Sequence, residues 1–186
     1  MKKIFWLVMG MILVGCGAQS KREKAHYPFL GEPLAMSYLD FLALEEVDAE
    51  RVEYLFADTQ RVWFALPAHR WQGMDGALQG IYQPGGAFLA DIRYVTTGMD
   101  FVDVLAKLQR IYQPISAHDY VMMDEAMYDG QWLALTIARF ERRIADGQVA
   151  LFVDDQYRME VWNEAFFDPT ASETPKTTIL YRKKES

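Results

Sequence analysis

Cysteine is nearly missing from this chain. Cys16 is the only one in 186 residues, so no disulfide within the chain can support the fold. Serine is also scarce, with Ser20, Ser37, Ser116, Ser172 and Ser186, and none stands in a Gly-x-Ser-x-Gly elbow. Histidine occurs three times, at His26, His69 and His118, never as a pair at helical spacing. That removes the His-Glu-x-x-His type of metal site, and leaves His69 with Asp75 as the best, and poor, pair of ligands. Positive charge is the minority sign, 19 Lys and Arg against 26 Asp and Glu, which speaks against nucleic-acid binding. No apolar run approaches the roughly 18 residues that a membrane-spanning helix needs. The glycines of Gly73-Met-Asp-Gly76 and Gly85-Gly86 match neither the P-loop nor the dinucleotide fingerprint.

What remains is concentrated at the start of the chain. Lys2 and Lys3 precede an apolar stretch from Ile4 to Val14, then comes Gly15, and then the sole cysteine. This is the three-part layout of an export signal. Leu13-Val14-Gly15-Cys16 resembles the lipobox of bacterial lipoproteins, the substrates of signal peptidase II. The resemblance covers roughly the first tenth of the chain and implies cleavage between Gly15 and Cys16. It also implies that the Cys16 sulfur carries acyl chains such as palmitate. One chain anchors only marginally, whereas two or three hold a protein firmly. In enterobacterial members of that class an Asp after the cysteine favours the inner membrane. Gly17 stands there instead, so the resemblance implies the outer membrane, facing the periplasm.

The sequence divides into a signal peptide over 1–15, a lipidated basic tether over 16–27, and one globular domain over 28–186 with a charged tail. Without Lys2 and Lys3 the remainder holds 17 basic and 26 acidic side chains, a net −9. Lys21, Arg22 and Lys24 outweigh Glu23 in the tether. From His26 onward the balance is 14 basic to 25 acidic, a net −11. A short basic tether therefore joins the lipid to an acidic body. It reads either as a solvated linker or as a contact with anionic headgroups.

Periodicity predicts an α+β domain, a mostly antiparallel sheet with one or two helices on one face. Ser37 with Asp40 resembles a capping box for a helix over 38–46. Residues 51–66 read as a hairpin stopped by Pro67, and 68–86 as a long irregular loop rich in glycine. A strand is expected over 87–96, and a helix over 101–113 capped by Asp100. Residues 132–145 carry both a helical stripe (Leu133, Ile137, Phe140, Ile144) and a hairpin signal in Asp146-Gly147. The helix, stopped by Gly147, is slightly preferred. A hairpin over 149–162, a loop over 168–176 and a strand over 177–181 complete the expectation.

The sequence offers no catalytic or metal-binding constellation and implies no cofactor. Ser116, His118 and Asp119 are close in sequence, but a triad is defined in space. Among 26 acidic residues some carboxylate pair will qualify for glycoside chemistry by chance. His69, Arg70, Trp71 and Tyr82 fall in or beside the expected loop and are residue types that interfaces favour. Met122, Met123 and Met127 beside Tyr120 and Tyr128 are either core or a soft binding face. Three functions stay open: a protein-interaction or assembly module of a cell-envelope complex, an anchored cell-wall or lipid hydrolase, and a binder of an apolar ligand.

Overall fold

The structure is a computed structural model, and it describes residues 37–44, 47, 49–57, 62–82, 89–124, 128–164 and 176–184. Gly15, Cys16, the tether and the expected loop over 168–175 lie outside the described residues.

Among the described residues eight antiparallel strands form one sheet: β1 (Glu53–Ala57), β2 (Val62–Trp71), β3 (Met74–Tyr82), β4 (Leu89–Thr96), β5 (Gln113–Pro114), β6 (Val149–Val153), β7 (Tyr157–Asn163) and β8 (Thr177–Lys183). Their order is β1-β2-β3-β4-β8-β7-β6-β5. Among the described residues there are four α-helices: α1 (Tyr38–Leu42), α2 (Phe101–Leu108), α3 (Ala117–Met122) and α4 (Gly130–Ala145). The fold is α+β, as the alternation in the sequence predicts.

One face of the sheet carries Phe64, Leu66, Leu78, Ile92, Tyr94, Met159, Val161, Ile179 and Tyr181. Phe41 of α1 and Val104 and Leu108 of α2 close this core. Two of the helices predicted from the sequence, at 38–46 and 101–113, lie on this face, whereas the one at 132–145 lies on the other. A second pair, α3 and α4, packs on the opposite face, where Ala117, Tyr120 and Val121 meet Val149 and Leu151, with Leu133, Ile137 and Phe140 beside them. β7 is therefore covered on both sides, and four consecutive residues, Arg158 to Val161, are buried.

The expected loop over 68–86 is mostly strand. Pro67 does not end β2, because Leu66 pairs with Leu78 while His69 pairs with Gly76, so β2 holds one extra residue. Such a bulge tolerates a proline, which has no N–H to give the ladder. Ala68 takes up the distortion at a φ of 55°. The two-residue turn Gln72-Gly73, at φ of 49° and 70°, reverses the chain into β3. Positive φ at both central residues is the turn geometry that suits the twist of a hairpin. Glycine at 76 lets the Tyr94 ring cross β3, where an added Cβ would lie 2.9 Å from that ring and 2.3 Å from the Val95 carbonyl. The Tyr94 hydroxyl then donates to the Met74 carbonyl (2.8 Å), with the His69 carbonyl 3.1 Å away, tying the hairpin end to β4.

The ends of α4 decide between the two readings of 132–145. Asp129 Oδ1 accepts from the amides of Gln131 (3.1 Å) and Trp132 (2.9 Å). At the other end Gly147, at a φ of 68°, donates to Ile144 O, and Gln148 donates to Arg143 O. This pair of bonds is a Schellman stop, so Asp146-Gly147 terminates a helix rather than turning a hairpin. Ser37 caps α1 by accepting from the Asp40 amide (3.1 Å), as its spacing predicts. Asp100 occupies the N-cap of α2 without a side-chain bond, and α2 ends at Leu108, short of 113. A turn then places Gln113 and Pro114 against β6.

Candidate functional site

The four residues singled out as interface candidates do not form one surface. The bulge at Pro67-Ala68 shifts the alternation of β2, so His69 and Trp71 join Phe64 and Leu66 on the core face, both at 0% exposure. Arg70 is exposed and pairs across the ladder with Asp75 on the other face. Tyr82 is the last residue of β3, and its side chain lies outside the described ones. His69 and Asp75 therefore point to opposite faces and do not share a ligand. Trp71 packs against Tyr94 (5.7 Å) and Tyr112 (6.3 Å) as part of an aromatic core.

Ser116, His118 and Asp119 stand together but do another job. Ser116 Oγ accepts from the Asp119 amide (3.1 Å) and donates to Asp119 Oδ2 (2.8 Å), which caps α3. His118 Nδ1 lies 3.3 Å from Asp119 Oδ1, and all three residues are exposed. The Ser116 hydroxyl holds the Asp119 carboxyl below the usual carboxylate range, and His118 adds to that. An exposed capping box of this kind closes a helix end. Of the methionines expected near it, Met122 and Met123 are half-buried and Met127 lies outside the described residues.

The chemistry-bearing groups that the structure does bring together lie under α3 and α4. Glu160 is buried on β7, and its Oε1 accepts from the Tyr120 hydroxyl (2.8 Å) while its Oε2 accepts from Trp162 Nε1 (2.9 Å). Arg182 Nη1 approaches Oε1 at 3.6 Å. Next to it Arg158 is ion-paired with Asp124, with side chains only 7% and 10% exposed, and its guanidinium lies 5.4 Å from the Tyr120 ring centre. Both oxygens of Glu160 are thus committed to groups of the protein itself. An alternating strand gives no hint of this, because Arg158 and Glu160 look like the solvent side of β7 until α3 covers them.

A cleft of about 270 Å³ opens beside the β6–β7 turn, lined by Asp154, Asp155, Gln156, Tyr157 and Tyr181. Asp154 Oδ1 accepts from the amides of Gln156 (2.8 Å) and Tyr157 (2.7 Å), and its Oδ2 accepts from the Tyr181 hydroxyl (3.0 Å). Lys184 Nζ donates to the Asp154 carbonyl. The Asp154 carboxylate therefore organises the turn.

Burial raises the hydroxyl pKa of Tyr94, Tyr120 and Tyr181, and pushes that of Tyr112 up to about 12. A tyrosine of the unfolded chain ionises near 10. Folding therefore favours the neutral hydroxyl, and this stability is complete below pH 10 and lost as pH rises through the folded values. Alkaline titration followed at 295 nm is expected to show these four tyrosines ionising together with loss of the fold, starting above about pH 10. Their ionisation at the ordinary value in a chain that stays folded would contradict the packing.

An exposed surface that combines apolar and cationic side chains lies on α4. No residue of this 16-residue helix is buried, although its inner side leans on α3 and β6. Trp132 is 57% exposed and Leu135 50%. At 3.6 residues per turn, Trp132, Leu135, Arg139, Arg142 and Arg143 fall within an arc of about 100°. This flank is apolar in its first turns and cationic in its last. Arg143 lies over the Trp162 ring (4.9 Å), whereas Arg139 and Arg142 are exposed. Asp146 sits at the end of the same flank, 3.9 Å from Arg142. A solvent-exposed pair of this kind contributes little, so it leaves Arg142 able to meet another anion.

Compared with known protein families, characterised proteins and solved structures, the chain has no significant match.

Proposed function

We propose that this chain is a bacterial envelope lipoprotein, held by acyl chains on Cys16 on the periplasmic side of the outer membrane, and that it works by binding, as an interaction or assembly module. The observation that carries the reading is the sole cysteine, placed directly after Leu13-Val14-Gly15 and the apolar run behind Lys2 and Lys3. The α4 flank supports the binding half. Exposed tryptophan and arginine are the side chains that dominate contact surfaces, and here they share the outer side of a helix whose inner side packs on α3 and β6. Two acids support it as well, since the buried Glu160 and the half-buried Asp154 are engaged by the fold's own donors. Among the described residues no helix is long and apolar enough to cross a membrane.

Cys16→Ser is expected to leave the precursor uncut and to abolish labelling by radioactive palmitate. Continued labelling of the variant would overturn the anchor.

A further inference from the structure

We infer that the flank of α4 formed by Trp132, Leu135, Arg139 and Arg142 docks on the headgroup layer of an anionic membrane. The inference rests on the anchored reading above and specifies what that anchored body touches first.

Charge selects the occupant. From His26 onward the chain carries a net −11, so an anionic surface repels it unless a local cationic patch faces that surface. Arg139, Arg142 and Arg143 supply three of the 14 basic residues of that stretch within five positions of one helix. A purely anionic partner would satisfy the arginines and leave the apolar half of the flank in water. A bilayer interface satisfies both. Indole rings settle at headgroup depth, a leucine reaches the acyl boundary, and arginine stems lie along the apolar layer while their guanidinium groups meet phosphates.

Geometry is compatible with a helix lying in the plane of the interface. The inner side of α4 is held by Leu133, Ile137 and Phe140 against α3 and β6. The Trp-Leu-Arg flank is thus presented by a fixed scaffold. Twenty residues separate Cys16 from Ser37, where the described structure begins. A chain of that length reaches at most roughly 70 Å, which confines the body to a thin layer above the bilayer. At such proximity a weak surface contact is populated, because tethering replaces free diffusion by a high effective concentration.

The test uses the full chain purified from membranes and returned to vesicles, with an environment-sensitive fluorophore on Leu135→Cys. Acylation caps Cys16, so the introduced thiol is the labelling site. Gln109→Cys, exposed beyond α2 on the other face of the sheet, is the control. In vesicles of phosphatidylglycerol and phosphatidylcholine, emission from position 135 is expected to shift to the blue while that from position 109 does not. Phosphatidylcholine alone should give no shift. Arg139→Gln and Arg142→Gln should each lower the docked-to-undocked ratio about fivefold. A vesicle-bound chain whose position 135 stays in water overturns the inference. So does an equal shift in phosphatidylcholine alone, or a crosslink from position 135 in native membranes that joins a protein instead of lipid. Palmitate labelling reads the anchor separately. An unlabelled chain that still docks upholds the inference and overturns the anchor, and a labelled chain that fails to dock does the reverse.

Discussion

Replacing Arg158 with methionine is expected to cost the fold about 3–5 kcal/mol, because it leaves Asp124 as an uncompensated charge in a dry site. For a body of this size that is a fall in Tm of about 10 °C. Both side chains are nearly excluded from water, and Tyr120 of α3 packs against Arg158. Arg158 also loses its position over the Tyr120 ring, a smaller contribution of about 1 kcal/mol. The double variant Arg158→Met with Asp124→Leu has the opposite expectation. It removes the charge together with its partner, and should recover most or all of the loss. Asp124 Oδ1 and Arg158 Nε have no hydrogen-bond partner among the described residues, so the pair recovers its desolvation cost incompletely. A well-packed apolar substitute has little to beat. Urea denaturation of the two single variants and the double gives the coupling directly. A single-variant loss below about 1 kcal/mol would mean that the pair behaves as a surface ion pair.

What the sequence made legible follows the strength of the local signal. Ser37 with Asp40 and the glycine at 147 fix their helix ends through backbone bonds that depend on a few neighbouring residues, and they are seen as expected. The alternating stretches 149–153 and 157–162 pair as the turn at Asp154-Asp155 predicts. The same Ser-x-x-Asp spacing recurs at Ser116 and Asp119, where it caps α3 in the same way. The bulge was out of reach for a different reason. Nothing in Leu66-Pro67-Ala68-His69 shows that one residue of β2 will go unpaired, because that is decided by Gly76 and Leu78 on the next strand. A one-residue slip reverses every later side chain, and so the glycine-rich segment read as a loop with His69 and Trp71 outside. The burial of Arg158 and Glu160 is hidden likewise, since it depends on a helix far away in sequence. Trp132 and Leu135 lie off the helical stripe of Leu133, Ile137, Phe140 and Ile144, so their exposure is legible only once the helix is chosen over the hairpin for 132–145.

The two tryptophans that bracket this difference separate stability from binding. Trp71→Ala is expected to lower stability by about 3–5 kcal/mol, the range for removing a large ring from a core. Its ring has 0% exposure and touches Tyr94 and Tyr112, which in turn contact the hairpin end and Tyr181. Loss of the ring therefore loosens the packing between β2, β4 and β8. Trp132→Ala should change stability by no more than about 0.5 kcal/mol, as surface substitutions do, because more than half of that side chain already faces solvent. Any effect of Trp71→Ala on contact with membranes or partners should follow the unfolded fraction and disappear in conditions where the variant is fully folded. An effect of Trp132→Ala should persist in a chain whose thermal midpoint is unchanged. Thermal melts of both variants, set beside their attachment to native membranes, distinguish the two. If Trp71→Ala instead abolished contact while keeping its midpoint, the core position of Trp71 and the bulge that puts it there would both be wrong.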